Sequence, residues 1–475
     1  MQMIINGQKV DASNGAVIDV FNPVTHEKID TVPCATKEDV ERCIQVAVKG
    51  KDIWSAYPVD KRAEILVNVA KLMEEEADAI ATLLSKENGK PYAQALGEVK
   101  GSEALFVGYA GKIRHYYGAT LPKLGKDMFQ VVKEPLGVVA CINPFNFPVN
   151  LYAHKAAPTL AAGNALIIKP ATDTPLTSIY MTDLLIRAGV PAEACQIITG
   201  RGSEIGDWLS TSPYVDAINM TGSTEVGVEI AQKAANHLAH VFLELGGNDP
   251  LIVLDDGDID LAVEETVANR ILCSGQTCCA PKRFIVHNSV IDEYTQKVVE
   301  RFNQIVMGDP FDPKTELGPV ISEKAAQKMD EQIRATVAQG AKVACGGEIV
   351  DKTFYKPTVL TDVTKDMDIA KDMEVFGPIV PIIGFDTDEE AIAIANQSIY
   401  GLSGGVISRD WRRAANVADK VDSGLVVING SGLYRNDDMP FNGHKMSGTG
   451  GGEGFFNTLD ELHRTKVIAW KNLYD

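Results

Sequence analysis

Short apolar runs alternate with helical segments along the middle of the chain. Val138–Ile142, Ala165–Lys169 and His240–Glu244 are mostly apolar over five residues, and amphipathic stretches lie between such runs. Strands buried on both faces have continuous apolar runs, and crossover helices join parallel strands. The pattern therefore predicts βαβ units on a parallel sheet, an α/β fold that binds ligands beyond the carboxyl ends of its strands.

Other parts of the chain extend this pattern. A second α/β segment begins at the apolar run Pro250–Leu254. Before the first sheet, helical spacing predicts a helix with Asp60 as its N-cap that stops at Asn88–Gly89. The last forty-odd residues are rich in glycine and polar turns, and they finish in a possible edge strand, Thr465–Trp470.

Composition narrows the classes of function. The chain has 475 residues, of which 45% are hydrophobic and 23% charged, and this length predicts two or three domains. Phosphate binding needs clustered Lys and Arg, so a net charge of −19 argues against nucleic acid and anionic membranes as partners. No apolar run approaches the ~20 residues that span a bilayer.

The spacing of cysteines and histidines predicts a protein of a reducing compartment that has no metal site. The eight cysteines include no Cys-x-x-Cys pair. His237 and His240 are close, but they lack a carboxylate or cysteine partner at ligand spacing. The first residues also lack the basic and long apolar regions of a signal peptide. We therefore expect a cytoplasmic location, no disulfide framework and no metal site.

The turn at Cys278 is the first candidate for chemistry. Cys278 follows a Gly-Gln turn and precedes the apolar run Phe284–Val286. A cysteine placed there can offer its sulfur to a cleft. A lone cysteine is more often a small buried hydrophobe, and this stretch alone slightly favours that structural interpretation.

Two further turns supply groups that a thiol would need. Asn146 lies in the turn Pro144–Pro148, where a rigidly held amide could donate to an oxyanion or simply form the turn. Glu244 ends an apolar strand and is followed by two glycines. Burial penalises its charged form, so it is better suited to act as a general base with a raised pKa than to fill a core.

Three glycine-containing turns carry weaker signals. Thr221–Gly227 lies between a strand and a helix, where free N–H groups can meet a phosphate, although it is not G-x-G-x-x-G. Glu374–Pro378 fits a site and a plain turn equally. Gly401–Gly405 matches the G-x-S-x-G nucleophile elbow but lacks a strong preceding strand and a supported acid and histidine, so it is interpreted as a glycine turn.

Seven collinear motifs resemble the NAD(P)-dependent aldehyde dehydrogenase superfamily across essentially the whole chain. Glu244 and Cys278 are also separated by the interval of the family's base and nucleophile. The motifs are PFNFP at 144–148, LIIKPA at 166–171, TGSTEVG at 221–227, ELGG at 244–247, GQTC at 275–278, EVFGP at 374–378 and PFNGHKMSG at 440–448.

The resemblance implies oxidation of an aldehyde to its acid through a covalent cysteine thiohemiacetal and thioester. Cys278 would be the nucleophile and Glu244 the general base. Asn146 and the Cys278 backbone N–H would form the oxyanion hole. Lys155 matches a lysine that some members use to relay protons.

The resemblance also implies a site for NAD or NADP. Lys169 would contact the adenosine ribose, Ser223 the pyrophosphate and Glu374 the nicotinamide ribose. Thr172 stands where many NAD-preferring members have a glutamate that repels a 2′-phosphate, so NADP is expected to be favoured. The full set of expected cofactor residues is Asn146, Lys169, Thr172, Gly222, Ser223, Gly227, Glu244, Leu245, Glu374 and Phe376.

The implied substrate pocket is polar. Polar side chains around the pocket suggest that the substrate is a small polar or anionic aldehyde, such as a semialdehyde or lactaldehyde. The stretch from Pro144 to Lys155 also resembles the branch of non-phosphorylating glyceraldehyde-3-phosphate dehydrogenases, but Thr277 stands where that branch has an arginine. The pocket residues are Asn150, His154, Thr277, Cys279, Arg435 and Phe441.

Two departures from the family pattern affect the substrate mouth. Asn442 replaces a usual glycine, and Gly450–Gly454 contains an apparent one-residue insertion. They put the pocket and loop geometry in question and leave the nucleophile unaffected.

The resemblance implies three structural parts and a homodimer or homotetramer. Residues 1–116 and 136–246 would bind the cofactor on a Rossmann-type sheet, 247–446 would form an α/β catalytic domain, and 117–135 with 447–475 a small β oligomerisation extension. A serine or cysteine hydrolase, or a catalytically silent binding member, is the alternative from another class.

Overall fold

The computed structural model describes residues 1–122, 125–449 and 452–473. Its α-helices, numbered in chain order, are α1 Lys37–Ser55, α2 Val59–Glu75, α3 Ala77–Asn88, α4 Tyr92–Ile113, α5 Asn150–Ala162, α6 Leu176–Ala188, α7 Gly202–Ser210, α8 Thr224–Ala234, α9 Ile259–Ile271, α10 Ile291–Phe302, α11 Glu323–Ala338, α12 Asp388–Asn396, α13 Trp411–Ala418 and α14 Phe455–Glu461.

The strands of the described residues form two large sheets and several short ones. They are β1 Met3–Ile5, β2 Gln8–Val10, β3 Val17–Phe21, β4 Lys28–Pro33, β5 Ala119–Thr120, β6 Met128–Pro135, β7 Val138–Ile142, β8 Ala165–Lys169, β9 Cys195–Ile197, β10 Ala217–Thr221, β11 His240–Glu244, β12 Pro250–Val253, β13 Arg283–His287, β14 Lys342–Cys345, β15 Ile349–Asp351, β16 Phe354–Tyr355, β17 Thr358–Val363, β18 Ile379–Phe385, β19 Tyr400–Gly401, β20 Ser403–Ile407, β21 Leu425–Ile428, β22 His444–Lys445 and β23 His463–Trp470.

The first sheet has the predicted parallel core. Its order is β11-β10-β7-β8-β9-β1-β2, and the five strands from β11 to β9 are parallel. The residues of β7 and β8 are all buried, which explains their continuous apolar runs. The chain runs from β7 outward to β9 and then returns to β10 on the other side of β7. A parallel sheet opens a ligand crevice at such a switch point.

The second sheet is also mostly parallel. Its order is β14-β17-β18-β13-β12-β20-β21, and only β14 is antiparallel to its neighbour. Helices cover its apolar strands in two buried clusters, one around Ile252 and Ile285 and one around Leu251 and Phe284. The α/β fold with parallel-sheet domains is therefore confirmed.

A three-stranded antiparallel sheet, β23-β6-β5, pairs residues 463–470 with residues 128–135, and the latter with residues 119–120. It contains the segments expected to form the oligomerisation extension, and the edge strand expected at 465–470 begins two residues earlier, at His463. The domain boundaries themselves stay predictions. Gly450 and Gly451, in the glycine-rich departure from the family pattern, lie outside the described residues.

The early helices differ from expectation at two points. The N-cap of α2 is Pro58, so Asp60 lies inside the first turn, where its carboxylate faces the positive end of the helix dipole. Glu76 has a non-helical backbone and separates α2 from α3. Gly89 then ends α3 with a φ of 86°, the left-handed conformation that favours glycine, as predicted.

The interpretation of Gly401–Gly405 as a turn was wrong. Ser403, Gly404 and Gly405 belong to β20, a fully buried strand beside β12. A Cβ on Gly405 would lie 2.3 Å from the Gly430 carbonyl oxygen, so glycine is needed for close backbone approach and not for a turn. Among the described residues, no helix is long and apolar enough to cross a membrane.

Candidate active site

The carboxyl ends of the first sheet's parallel strands gather the candidate residues along one edge. Lys169 at the end of β8 is the register partner of Ile142, and Glu244 at the end of β11 is the partner of Thr221. The turn that carries Asn146 begins directly after β7. Because all these strands point the same way, their terminal side chains and turns share one crevice.

Asn146 is held by hydrogen bonds through both its side chain and its backbone. Its buried side-chain NH₂ donates to the Gln276 carbonyl at 2.9 Å, two residues before Cys278. The Asn146 carbonyl accepts a hydrogen bond from the Lys90 ammonium at 2.7 Å. Lys90 also pairs with Glu98 at 2.5 Å, and both are almost fully buried. The amide is therefore fixed next to the Cys278 turn and has a second N–H to offer.

Cys278 lies where the two sheets meet. It is partly exposed, whereas its neighbour Cys279 is buried. A Cβ on Gly247 would lie 2.9 Å from the Cys278 carbonyl oxygen, so the glycine turn after Glu244 packs directly on the Cys278 backbone. The structure thus brings the base candidate of the first sheet and the nucleophile candidate of the second into one site.

The thiols of Cys278 and Cys279 shift each other's pKa in opposite directions. Their mutual contact, followed by burial, raises the pKa of Cys278. The same contact, with the positive charges of Arg435 and Lys282, lowers the pKa of Cys279 against the effect of burial. Cys278 is the member of the pair that reaches the cleft, so its thiol needs a neighbouring base to become the attacking thiolate.

Glu244 has the environment expected of a buried base. Burial, and then the negative charge of Glu453, raise its pKa well above the usual range. Its Oε2 atom has no hydrogen-bond partner among the described residues. A Cβ on Gly452 would lie 2.6 Å from the Glu244 Oε1 atom, so the absence of a side chain at 452 leaves space for this carboxylate.

Buried charged side chains surround Glu244, and the sequence did not reveal all of them. Burial would raise the pKa of Glu453, but the positive charges of His154, Arg435 and Lys155 outweigh it and lower that pKa. Burial lowers the pKa values of His154 and Lys155. Glu453 was missed because a single acid in a glycine-rich segment carries no pattern.

Lys155 connects this group to the edge of the first sheet. Its ammonium donates to the Thr221 hydroxyl at 2.6 Å. A cavity of about 20 Å³ lies beside it, lined by His154, Lys155, Glu244 and Glu453 together with residues of β10, β11 and α14. The predicted relay lysine therefore lines the same small cavity as the base candidate and Glu453.

The expected pyrophosphate site lies where α8 begins. Ser223 is the N-cap of α8, and its hydroxyl accepts from the Val226 N–H at 3.5 Å. A Cβ on Gly227 would lie 2.4 Å from a methyl of Leu245, and one on Gly222 would lie 2.4 Å from Met220 Cε. Glycine at these two positions therefore allows the turn to pack on the sheet.

Lys169 and Thr172 lie beside the loop before α7. The Thr172 hydroxyl donates to the Gly200 carbonyl at 3.4 Å, and a Cβ on Gly202 would lie 3.4 Å from the Lys169 nitrogen. Burial lowers the pKa of Lys169 to about 8.

Glu374 and Phe376 reach the site from the second sheet. A Cβ on Gly246 would lie 2.8 Å from Glu374 Oε2, and the Gly247 N–H donates to Glu374 Oε1 at 3.2 Å. The Phe376 ring packs edge-on against Phe145, with the ring centroids 6.1 Å apart. The turns at 144–148 and 374–378 are therefore in contact.

Two of the predicted pocket residues lie beside the cysteine pair. Phe441 packs with Cys279 and Cys278, and the Arg435 guanidinium lies 3.1 Å from the centre of the Phe441 ring. Thr277 is buried, and its hydroxyl has no partner among the described residues. Asn150 lies beside α4, with its amide nitrogen 3.9 Å from the position of a Cβ on Gly101.

Comparison with known proteins places this geometry in a family. A family model described as the aldehyde dehydrogenase family matches residues 10–468. The chain belongs to the aldehyde dehydrogenase family. This confirms the predicted enzyme class, an NAD(P)-dependent oxidoreductase that acts on aldehydes, and the hydrolase alternative is not supported.

Individual relatives agree with the family model. Succinate-semialdehyde dehydrogenase [NADP(+)] of Escherichia coli is 38% identical over 452 residues, which are 94% of this chain and 93% of the relative. Lactaldehyde dehydrogenase of Methanococcus vannielii is 36% identical and covers 96% of this chain and 97% of its own. A crystal structure of Staphylococcus aureus betaine aldehyde dehydrogenase with NAD⁺ is 36% identical, has a TM-score of 0.97 and covers 100% of this chain and 95% of its own.

The residues of the crevice fit a nicotinamide dinucleotide. Gly222 and Gly227 keep the turn before α8 free of side chains, and the N-terminus of this eleven-residue helix can meet a pyrophosphate. Lys169 supplies a buried ammonium on one side, and Glu374 a carboxylate on the other. When bound, the cofactor supplies a hydride acceptor.

The contact between Gly452 and Glu244 gives a test. We expect Gly452→Ala to lower kcat at least about tenfold, because the new methyl group would displace both the Glu244 carboxylate and the Phe441 carbonyl. Steady-state kinetics with an aldehyde and NADP⁺ measures the loss. Gly206→Ala, where nothing lies within 4 Å of the new Cβ, is the control. An unchanged kcat in a folded Gly452→Ala variant would contradict the contact.

Proposed function

We propose that this protein oxidises a small polar or anionic aldehyde, of the succinate-semialdehyde or lactaldehyde type, with a preference for NADP⁺. The observation that carries the proposal is the Arg435 guanidinium, stacked on the Phe441 ring beside the cysteine pair and only 3.8 Å from Glu453. The guanidinium is about one third exposed. It can therefore bind a carboxylate or hydroxyl at the far end of a short aldehyde.

Cys278 starts the chemistry in this proposal. Its thiolate attacks the aldehyde carbon and forms a thiohemiacetal. The second N–H of the Asn146 amide, with the Cys278 backbone N–H, stabilises the oxyanion. Transfer of the carbon-bound hydrogen as hydride to the cofactor leaves a thioester on Cys278. The covalent intermediate separates oxidation from hydrolysis.

Glu244 completes the reaction. With a raised pKa it is suited to take a proton from the water that attacks the thioester, and the acid product then leaves Cys278. Lys155 and Glu453 lie next to it around one small cavity. We propose that they pass this proton away from the site, which gives Glu453 a function that the motifs alone did not suggest.

The cofactor roles in the proposal follow the crevice. Lys169 and Thr172 would face the adenosine ribose, with Thr172 leaving space for a 2′-phosphate that a glutamate would repel. Ser223 and the glycines at 222 and 227 would face the pyrophosphate, with Leu245 against the same turn. Glu374 would bind the nicotinamide ribose, and Phe376 would lie beside the nicotinamide.

The assembly and location belong to the proposal as well. We propose a cytoplasmic homodimer or homotetramer in which β5, β6 and β23 form the oligomerisation surface. The β23 strand supports this because it lies at the edge of its sheet with Val467 and Trp470 exposed. An edge strand with unpaired backbone groups is a template for a second chain.

An aldehyde panel tests the function. We expect NADPH formation, measured by its absorbance, when succinate semialdehyde or lactaldehyde is supplied with NADP⁺. The kcat/KM should be at least about tenfold above that for hexanal, because a charge-assisted hydrogen bond to the substrate contributes that much binding free energy. Cys278→Ala should abolish activity. Equal kcat/KM for hexanal and succinate semialdehyde would contradict the polar pocket. Preference for glyceraldehyde 3-phosphate would favour the non-phosphorylating dehydrogenase alternative, and ester hydrolysis without NADPH a hydrolase.

Arg435→Met tests whether the Arg435 guanidinium binds the polar end of the substrate. It removes the charge and keeps an apolar side chain over Phe441. We expect kcat/KM for succinate semialdehyde to fall at least about tenfold and that for hexanal to change less than about threefold. Equal losses for both aldehydes would show that Arg435 supports the fold of the pocket rather than binding substrate.

Thr172→Glu tests the preference between cofactors. The new carboxylate would repel a 2′-phosphate and accept hydrogen bonds from the ribose hydroxyls of NAD⁺. We expect the ratio of kcat/KM for NADP⁺ to that for NAD⁺ to fall at least about tenfold. Thr172→Gln, which has similar volume without charge, is the control. An unchanged ratio in Thr172→Glu would contradict this assignment.

The pKa of Lys169 predicts a pH dependence. This ammonium is charged below about pH 8 and loses its charge as the pH rises through that value. Attraction to a 2′-phosphate is therefore present at pH 7 and lost by pH 9. We expect KM for NADP⁺ to rise over this interval at least about threefold more than KM for NAD⁺. Lys169→Met should remove the difference, and parallel changes for both cofactors would contradict it.

A further inference from the structure

Lys282 is a buried lysine that none of the family motifs above includes. It lies four residues after Cys278, immediately before β13, and its side chain is about 1% exposed. Its backbone N–H donates to the Asp249 carbonyl at 2.8 Å, which fixes the position of its Cα next to β12. A buried lysine of this kind needs polar partners for all of its donors.

The Lys282 ammonium uses its three donors on three different groups. It donates to the Cys278 carbonyl at 2.5 Å and to the Ala280 carbonyl at 3.4 Å. It also forms an ion pair with Glu374 Oε1 at 3.3 Å, and it lies 5.8 Å from the centre of the Phe376 ring. One side chain therefore joins the backbone of the nucleophile candidate to the two residues expected to hold the nicotinamide riboside.

We propose that Lys282 is a positioning residue that couples the cofactor site to the nucleophile. The inference rests on the proposed roles of Cys278 and Glu374 and goes beyond them. A hydrogen bond to the Cys278 carbonyl fixes the peptide plane that follows Cys278 and hence the position of the Cα atom that carries its thiol. The ion pair holds the Glu374 carboxylate in one place. Lys282 thus sets the distance between the carbon that loses hydride and the ring that accepts it.

The packing around the two partners supports a fixed bridge. Gly247 donates its N–H to the same Glu374 oxygen that meets Lys282, and a Cβ on Gly247 would lie 2.9 Å from the Cys278 carbonyl oxygen. The glycine turn and the ammonium therefore enclose the same pair of oxygens from two sides. Removing the ammonium would take a donor from a buried carbonyl and leave the Glu374 carboxylate held by the Gly247 N–H alone.

The test is a double-mutant cycle of Lys282→Met and Glu374→Gln, read by direct NADP⁺ binding and by kcat. We expect Lys282→Met to raise the Kd for NADP⁺ about fivefold, because a Glu374 carboxylate held by one hydrogen bond alone is less preorganised. In the Glu374→Gln background the same change should alter Kd less than about twofold. We also expect Lys282→Met to lower kcat about tenfold, through the lost restraint on Cys278.

Arg62→Met is the control for loss of a buried cation. Arg62 is buried, but its guanidinium donates to the Ala161 and Tyr57 carbonyls rather than to Cys278 or Glu374. We expect its Kd for NADP⁺ to stay within about twofold of the parent. A thermal melt of each variant shows that it is folded. A Lys282→Met variant that does not fold is replaced by Lys282→Gln, which keeps a donor for the Cys278 carbonyl and removes the ion pair.

Each outcome decides a separate point. An unchanged Kd in folded Lys282→Met, or the same fold-change in the Glu374→Gln background, would overturn the bridge while leaving the proposed oxidation intact. Activity that persists in Cys278→Ala would overturn the proposal that Cys278 is the nucleophile. The double-mutant cycle would still be interpretable, because Kd for NADP⁺ is measured without turnover. A Kd effect without any change in kcat would show that Lys282 serves only the cofactor, which would overturn the coupling.

Discussion

The site depends on a close approach of backbone at Gly246 and Gly247. Their missing side chains let the turn after β11 lie against the Cys278 carbonyl on one side and the Glu374 carboxylate on the other. The turn belongs to the first sheet, and both partners belong to the segment of the second. Any side chain at these positions would separate the sheets by the width of a methyl group and move the base candidate away from the nucleophile candidate.

A second constraint is the balance of buried charge beside this contact. Glu244 and Glu453 are two carboxylates in one small space, and His154, Lys155 and Arg435 lie around them. With too few cations both acids would be protonated, and with too many neither would take a proton from water. The observed arrangement separates the two pKa values, raising that of Glu244 and lowering that of Glu453. Two acids with separated pKa values are suited to different tasks.

Much of the fold could be predicted because its signals are local. The β7, β8 and β11 strands have the predicted bounds. Burial of every residue explains the apolar runs of β7 and β8, whereas β11 is exposed at His240 and buried from Phe242 onward. The segment at 401–405 was misjudged because glycine also occurs in strands where another backbone approaches closely, and only the partner at Gly430 shows this. Asp60 was misplaced because an acid inside the first turn resembles an N-cap.

Candidate site residues could be predicted where they belong to a sequence motif. They could not be predicted where only contacts between distant parts of the chain bring them to the site. The turns with Asn146, Glu244 and Cys278 stand out in sequence through their prolines, glycines and polar residues. Glu453 and Lys282 do not, because their roles come from partners far away in the chain, such as Lys155 and Glu374.

The ion pair of Lys90 and Glu98 has a consequence for engineering this protein. It joins the junction of α3 and α4 to the Asn146 carbonyl, and Glu98 also accepts the N–H groups of Val149 and Asn150 at the start of α5. These outer helices look like an inert support that could be exchanged between homologues. They are instead part of the frame that aims an active-site amide, so grafted helices should be selected for turnover as well as for thermal tolerance.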